Sequence, residues 1–133
     1  MDKRLLLASP HMSDEGYELE YIHDAFQKNW IAPLGENVNE FEKAMGEFMG
    51  EGYPVALSAG TAALHLAMIL AGVKRGDAVF CQSLTFSASA NPVAYCGAKP
   101  VFIDSECETW NMDPAALRRA FALHGMPKAV VAV

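Results

Sequence analysis

The feature that most constrains the fold is the alternation of short apolar segments with segments of helical length between residues 53 and 133. Short apolar segments bounded by turn residues predict buried strands, and the segments between them have the length and patterning of helices. Strands that alternate with helices predict an α/β fold with a largely parallel sheet. The predicted strands are 54–57, 78–82, 100–103 and the beginning of a fourth at 128–133.

The helices predicted between these strands differ in character. Residues 62–70 are apolar on nearly every side, which predicts a helix buried between layers. Residues 86–96 predict a helix or a helix-like turn, and Asp113 with Pro114 predicts a helix start, the aspartate as N-cap. A parallel strand is usually covered by a following element. Because the sequence ends inside the apolar segment 128–133, we expect it to be a piece of a longer fold.

Residues 1–52 predict an N-terminal helical segment, and residues 53–133 predict the first part of a larger α/β domain. Ser13 can cap a first helix that carries Leu19, Ile22 and Phe26 on one face. A loop at 29–36 precedes a second amphipathic helix. The residues of this helix that we expect to point inward are Val38, Phe41, Met45, Phe48 and Met49.

Charge and composition argue against several classes of protein. The sequence carries 10 Lys and Arg against 16 Asp and Glu, a net charge of −6, so we expect no nucleic-acid partner and no anionic membrane surface. No apolar run has the length of an export signal or of a membrane span. The cysteines Cys81, Cys96 and Cys107 lie far apart, which predicts reduced thiols in the cytoplasm and no zinc site.

The junction 58–62, with sequence SAGTA, is the first candidate for chemistry. Small side chains let backbone N–H groups approach an anion closely, and a helix N-terminus adds about half a positive charge. Ser58 and Thr61 can add hydroxyl donors, so a phosphate would fit there. The alternative, which composition alone favours, is an ordinary Ser or Thr helix cap in a tight turn.

Two aromatic residues are further candidates. Phe86 follows the predicted strand 78–82, where a phenylalanine can stack on a flat heteroaromatic ring; the alternative is a core phenylalanine. Trp30 lies in a loop with proline and glycine, where it can cover a ligand or a partner subunit. The alternative for Trp30 is a hydrophobic plug between the two N-terminal helices. His65 lies within the apolar helix and is interpreted as a core residue.

Three segments together carry a family resemblance. SAGTAALHLAM (58–68), DAVFCQSLTFSASANPV (77–93) and AKPVFIDSECETWNMDP (98–114) resemble, in order and spacing, the DegT/DnrJ/EryC1/StrS nucleotide-sugar aminotransferases, which depend on pyridoxal 5'-phosphate (PLP). The resemblance implies an αβα sandwich with a mostly parallel sheet, which is the large domain of the fold type I PLP transferases. It also implies a small C-terminal domain and a homodimer with sites at the interface.

The resemblance also implies roles for individual residues. Gly60 and Thr61 would bind the cofactor phosphate, and Phe86 would stack on the pyridine ring. Ser58 would lie near the sugar or the phosphate. The residues that would line the substrate site, of this or the neighbouring subunit, are Trp30, Ile31, Ala32 and Pro33.

The segments 7–22 and 29–42 narrow the resemblance to the aminotransferases of bacillosamine-type sugars. This implies a UDP-linked 4-keto-6-deoxy-N-acetylhexosamine as substrate and glutamate as amino donor. The family places its pyridine-binding aspartate and its catalytic lysine downstream, so we expect no catalytic residue within 1–133 and no activity from this chain alone. A PLP-dependent sugar dehydratase and a non-catalytic member of the same fold are the alternatives.

Overall fold

The computed structural model describes residues 11–133, in two compact units that meet in sequence at Ala56 and Leu57. The first unit contains helix α1 (Tyr17–Gln27) and helix α2 (Glu36–Met49). The segment 1–10, where we expect no export signal, lies outside the described residues.

The second unit is built on a three-stranded parallel sheet with strand order β2-β1-β3. This confirms the predicted α/β fold with a parallel sheet. The observed strands agree with the predictions for 78–82, 100–103 and 128–133 to within a few residues. In chain order the elements are α3 (Gly60–Leu70), β1 (Ala78–Gln82), a 3-10 helix (Ser87–Ser89), α4 (Asn91–Tyr95), β2 (Lys99–Ile103), α5 (Pro114–His124) and β3 (Ala129–Val131).

The central strand β1 contributes to a core on each side of the sheet. Successive side chains of a strand point to opposite faces, so Val79 and Cys81 pack into one cluster and Phe80 into the other. Helices α3 and α4 contribute to the first cluster, and α5 contributes to the second, which gives the αβα arrangement. The clusters are Met68, Val73, Val79, Cys81, Val93, Ala98 and Val131 on one face, and Phe80, Ile103, Ala116 and Ala120 on the other.

The start of α5 confirms the prediction made from Asp113 and Pro114. The Asp113 carboxylate accepts hydrogen bonds from the N–H groups of Ala115 at 2.7 Å and Ala116 at 3.0 Å, and Pro114 occupies the first helical position. A side-chain oxygen that satisfies the free N–H groups of the first turn fixes where the helix begins.

Two expectations about the sheet and α3 are wrong. Residues 54–57 form no strand: Pro54 has no N–H to donate, and the Ala56 N–H donates to the Glu42 carboxylate at 2.7 Å instead of to a neighbouring strand. Helix α3 is not buried on all sides, since Met68 is its buried residue and Leu70 is exposed. One face of α3 packs on the core, and its other face has no covering layer in the described chain.

The first unit also differs from prediction. Helix α1 begins at Tyr17 rather than after Ser13, because Gly16 adopts a left-handed φ of 75°. Ser13 instead donates from its N–H and its hydroxyl to the Glu18 carboxylate, at 2.8 and 2.7 Å.

The inward face predicted for α2 is only partly correct. Val38 and Met45 are half-buried, but Phe41, Phe48 and Met49 are exposed. Two helices have too little surface to enclose the apolar stripes of both. The apolar pattern of α2 therefore identified a face without determining how much of it this chain buries.

Candidate functional site

The second unit carries an open depression of about 460 Å³ beside the carboxyl end of β1. In open α/β sheets ligands bind at this edge, outside the carboxyl ends of the strands. The depression brings together Gly60, Thr61 and Phe86, for which the family resemblance implies contacts with one cofactor. The residues that line it are Gly60, Thr61, Leu64, Thr85, Phe86, Ala88, Ser89 and Val133.

The first turn of α3, at one wall of the depression, has no side-chain cap. Its N-cap is Ala59, whose carbonyl accepts from the N–H groups of Ala62 at 3.0 Å and Ala63 at 3.1 Å. The N–H groups of Gly60 and Thr61 come earlier in the turn, where no helical carbonyl is available. The helix-cap alternative for the 58–62 junction is therefore wrong. The turn instead presents N–H groups at the positive end of the helix dipole.

Neither the backbone nor the packing of this unit requires a glycine at position 60. Gly60 is not among the residues with a left-handed φ, and a Cβ placed on it would meet no heavy atom within 4 Å. The space in front of the first turn is therefore open at this position.

Phe86 lies at the start of the 3-10 helix, and its side chain is 79% exposed. It belongs to neither core cluster, so the core alternative for Phe86 is wrong in this chain. Its backbone is extended, with φ −65° and ψ 139°, and its ring lines the same depression as Gly60 and Thr61. An exposed aromatic face beside free N–H donors can receive a flat, anionic ligand.

Other predicted site residues lie outside the lining of this depression. Ser58 is exposed, two residues before α3. Trp30 belongs to the first unit, where its backbone N–H donates to the Ala25 carbonyl at 2.8 Å and its side chain lies against Gly35. Half of the Trp30 surface remains exposed. The exposed residues that follow it are Ile31, Ala32 and Pro33.

Sequence reasoning missed Thr85 and Ser89, two hydroxyl residues of the depression. Their side-chain oxygens lie 2.7 Å apart, on either side of Phe86 in the chain. Ser89 is 8% exposed and Thr85 is half-buried. The signal that could have found them is their spacing of four residues in a segment predicted to turn like a helix.

The thiol of Cys81 in β1 contacts the 3-10 helix at Ser89. Burial raises the pKa of the Cys81 thiol, whose Sγ donates to the Ser89 carbonyl at 3.7 Å. Cys81 therefore remains a neutral thiol that supports the turn.

Over residues 11–133, no three His, Cys, Asp or Glu side chains are grouped to hold a metal ion. In the same residues, no helix is long and apolar enough to cross a membrane.

The first unit has a depression of its own, of about 520 Å³, between α1 and α2. Tyr21 and Phe41 contribute exposed aromatic surface to it, and Glu40 contributes a carboxylate. Its lining reaches the first turn of α2 at Asn37, but it contains no serine or threonine hydroxyl. Its apolar lining is the uncovered surface of two amphipathic helices, so it is a weaker candidate for a small-molecule site.

Comparison with solved structures agrees with the fold. A structure from Streptococcus pneumoniae, described as a sugar aminotransferase in its PMP form, superposes with a TM-score of 0.77 at 27% identity, over 89% of this chain and 29% of that chain. A 3-amino-5-hydroxybenzoic acid synthase superposes with a TM-score of 0.74 at 28% identity, over 92% of this chain and 31% of that chain. The fold and the position of the site define an α/β protein of fold type I.

The sequence comparisons identify the family. The DegT/DnrJ/EryC1/StrS aminotransferase family model matches residues 13–133, and the chain belongs to that family. EpsN of Bacillus subtilis, whose name places it among the PLP-dependent aminotransferases, is 55% identical over all of this chain and 35% of its own length. A GDP-perosamine synthase of Caulobacter vibrioides is 41% identical over 86% of this chain and 30% of its own length. The chain thus spans about a third of the length of these relatives.

Proposed function

We propose that the depression binds PLP and that the whole protein is a PLP-dependent sugar aminotransferase. The observation that carries the proposal is the uncapped first turn of α3, which opens with Gly60 and Thr61 in the same depression as the exposed ring of Phe86. Family membership supports the same cofactor, because relatives and solved neighbours carry PLP or PMP in their names.

The residues present fit this cofactor. Its phosphate would accept hydrogen bonds from the N–H groups of Gly60 and Thr61 and from the Thr61 hydroxyl, at the positive end of α3. The open space in front of Gly60 would admit the phosphate oxygens. Phe86 would pack against the face of the pyridine ring and fix its plane. When bound, PLP supplies the electron sink that amino-group transfer requires.

For the reaction, we propose that glutamate donates an amino group to C4 of a UDP-linked 4-keto-6-deoxy-N-acetylhexosamine. The proposal follows the resemblance of residues 7–22 and 29–42. The relatives differ in nucleotide and sugar, since they include GDP-perosamine synthases and a UDP-2-acetamido-2-deoxy-3-oxo-D-glucuronate aminotransferase. We assign the substrate contacts, at the interface of a homodimer, to Ser58 and to the exposed loop residues Trp30, Ile31, Ala32 and Pro33.

The cofactor proposal is tested by Gly60→Ala in the full-length protein. Because the backbone of Gly60 is not left-handed and its surroundings are open, alanine should stabilise the apo-protein by about 0.4–1 kcal/mol. The same methyl group would stand where the phosphate approaches. We expect the Kd for PLP to rise at least about 10-fold, the equivalent of one charge-assisted hydrogen bond.

The matched control is Gly46→Ala in α2, where a Cβ would make an ordinary contact of 3.6 Å with Pro54. This substitution should also stabilise the apo-protein, and it should leave PLP affinity unchanged.

Thr61→Val should weaken PLP binding, and Thr61→Ser should retain it. Unchanged PLP affinity in Gly60→Ala and Thr61→Val would reduce this turn to an ordinary helix start.

A sugar dehydratase is the second candidate, since a GDP-4-keto-6-deoxymannose-3-dehydratase superposes with a TM-score of 0.72 at 27% identity. Incubation of the full-length protein with glutamate and either the UDP-linked or a GDP-linked 4-keto-6-deoxy sugar separates the candidates. An amino sugar formed from the UDP-linked ketone alone supports the proposal. Loss of a sugar hydroxyl without a new amine supports the dehydratase, and absence of both products supports a non-catalytic member of the fold.

A further inference from the structure

We propose that Ser89 is a positioning residue which, together with Thr85, holds Phe86 in place for stacking on the cofactor ring. The inference rests on the proposed function, because it assigns a role toward the same bound ring. Two residues of the same turn differ in exposure. The ring of Phe86 is 79% exposed, whereas Ser89, three residues later, is 8% exposed.

Core packing does not hold the Phe86 ring, since Phe86 belongs to neither cluster. The direction of an exposed side chain depends on its own backbone, and that backbone lies in a loop between β1 and the 3-10 helix. A stacking surface presented on a mobile loop would have to be ordered when the ligand binds, which lowers affinity. Hydrogen bonds that fix the backbone at residues 85 and 86 before the ligand binds would remove the free-energy cost of ordering the loop.

Ser89 makes hydrogen bonds from three of its atoms to this part of the chain. Its Oγ lies 2.7 Å from the Thr85 Oγ1, and its N–H donates to the Phe86 carbonyl at 2.9 Å. Its own carbonyl accepts from the Sγ of Cys81 at 3.7 Å, and Cys81 is fully buried in β1. Residues 85 and 86 are thereby tied through one buried serine to the central strand of the sheet.

The experiment uses the full-length protein with PLP as the probe. Thr85→Val and Ser89→Ala each remove the hydroxyl pair, and Thr85→Ser keeps it. Ser87→Ala is the matched control, because Ser87 lies exposed in the same 3-10 helix. PLP affinity is measured by titration, the circular dichroism of the bound cofactor reports its ring geometry, and apo-protein melting reports the fold.

We expect Thr85→Val and Ser89→Ala to raise the Kd for PLP about 3- to 10-fold, the range of one neutral hydrogen bond. The dichroism of the bound cofactor should also change. Thr85→Ser and Ser87→Ala should resemble the unmodified protein in both measurements. Wild-type affinity and dichroism in Thr85→Val would overturn the inference, and so would an equal loss in Ser87→Ala.

The decisive comparison repeats Thr85→Val in a Phe86→Ala background. If the hydroxyl pair acts through Phe86, it should cause no further loss of PLP affinity there. A full additional loss would overturn the positioning role, because the hydroxyls would then bind the cofactor directly. If Phe86→Ala alone leaves affinity unchanged, the proposed stacking itself fails. If Phe86→Ala weakens binding and Thr85→Val does not, only the positioning role fails.

Discussion

The side-chain amide of Gln82 donates a hydrogen bond of 2.8 Å to the backbone carbonyl of Trp110. Gln82 is the last residue of β1 and is 2% exposed, and the same nitrogen donates to the Ser105 Oγ at 3.2 Å. Trp110 has a left-handed φ of 66°, which is uncommon for a bulky residue. The buried amide therefore holds the loop between β2 and α5 in place beside the carboxyl edge of the sheet.

Gln82→Met should lower the free energy of unfolding by about 0.5–1.5 kcal/mol, because it keeps the volume but leaves the Trp110 carbonyl and the Ser105 hydroxyl without their donor. Removal of the buried Gln82 Oε1, which has no hydrogen-bond partner, offsets part of this loss. Urea denaturation followed by tryptophan fluorescence measures the change. Gln27→Met is the control, since Gln27 is exposed at the end of α1 and its replacement should stay within about 0.5 kcal/mol. Equal losses in the two variants would show that the amide contact is not what stabilises the loop.

Truncation of Phe80 should lower the stability of the fold, whereas truncation of Phe86 should weaken PLP binding. Phe80 is fully buried and packs against Phe121 with ring centroids 5.3 Å apart, so Phe80→Ala should cost about 3–5 kcal/mol of stability. Phe86→Ala should change apo-protein stability by less than about 0.5 kcal/mol while weakening PLP binding, and Phe86→Trp should retain binding. Melting and PLP titration on the same variants test both halves. A large apo destabilisation by Phe86→Ala with normal PLP affinity would mean that the stacking aromatic was assigned wrongly.

Asp113→Ala should lower stability by about 0.5–2 kcal/mol, because the N–H groups of Ala115 and Ala116 lose their acceptor. Asp113→Asn should preserve most of the stability, since its amide oxygen can accept the same bonds. The contact of 3.8 Å with Arg119 is a poor alternative explanation, because the distance is long and the Arg119 side chain is exposed, so the ion pair contributes little. Thermal melting of the two variants and of Arg119→Ala distinguishes the cap from the ion pair.

The pKa of Glu18 should respond to Ser13. The Ser13 hydroxyl, followed by its backbone N–H, holds the pKa of this carboxyl below its ordinary value of 4.5. A lowered carboxyl pKa contributes stability that is present above pH 4.5 and is lost as the pH falls through the folded-state pKa. NMR titration of Glu18 should show its pKa rising toward 4.5 in Ser13→Ala and staying low in Ser13→Thr. No change in Ser13→Ala would rule out the hydroxyl as the main cause.

Cys107 and Cys81 should react with thiol reagents at different rates. Cys107 is exposed and should be modified first at neutral pH. Cys81 is fully buried, and burial raises its thiol pKa, so it should react only when the protein unfolds. Mass spectrometry after timed alkylation, with and without urea, measures the order. Rapid labelling of Cys81 in the native protein would show that β1 opens readily.

Much of the local structure was predictable from sequence because it depends on neighbours along the chain. The apolar runs at 78–82 and 100–103 form β1 and β2, and Asp113 with Pro114 begins α5. Strand periodicity and helix capping act over a few residues, so a single sequence carries them. The resemblance drawn from the three quoted segments agrees with the family that matches residues 13–133.

The tertiary structure decided what depends on contacts distant in sequence. The apolar segment 54–57 has no strand partner in the described chain, and α3 is covered on one face only, because pairing and burial require another element to pack against. The bonds from Gln82 to Trp110 and from Cys81 to Ser89 join residues that no local pattern connects. The sequence by itself determined which residue types are available and where the locally specified elements β1, β2 and α5 form. Only the tertiary packing places α3 against the 3-10 helix that follows β1, because no local pattern connects these two segments. That packing decided which residues line one depression: Gly60, Thr61, Thr85, Phe86 and Ser89.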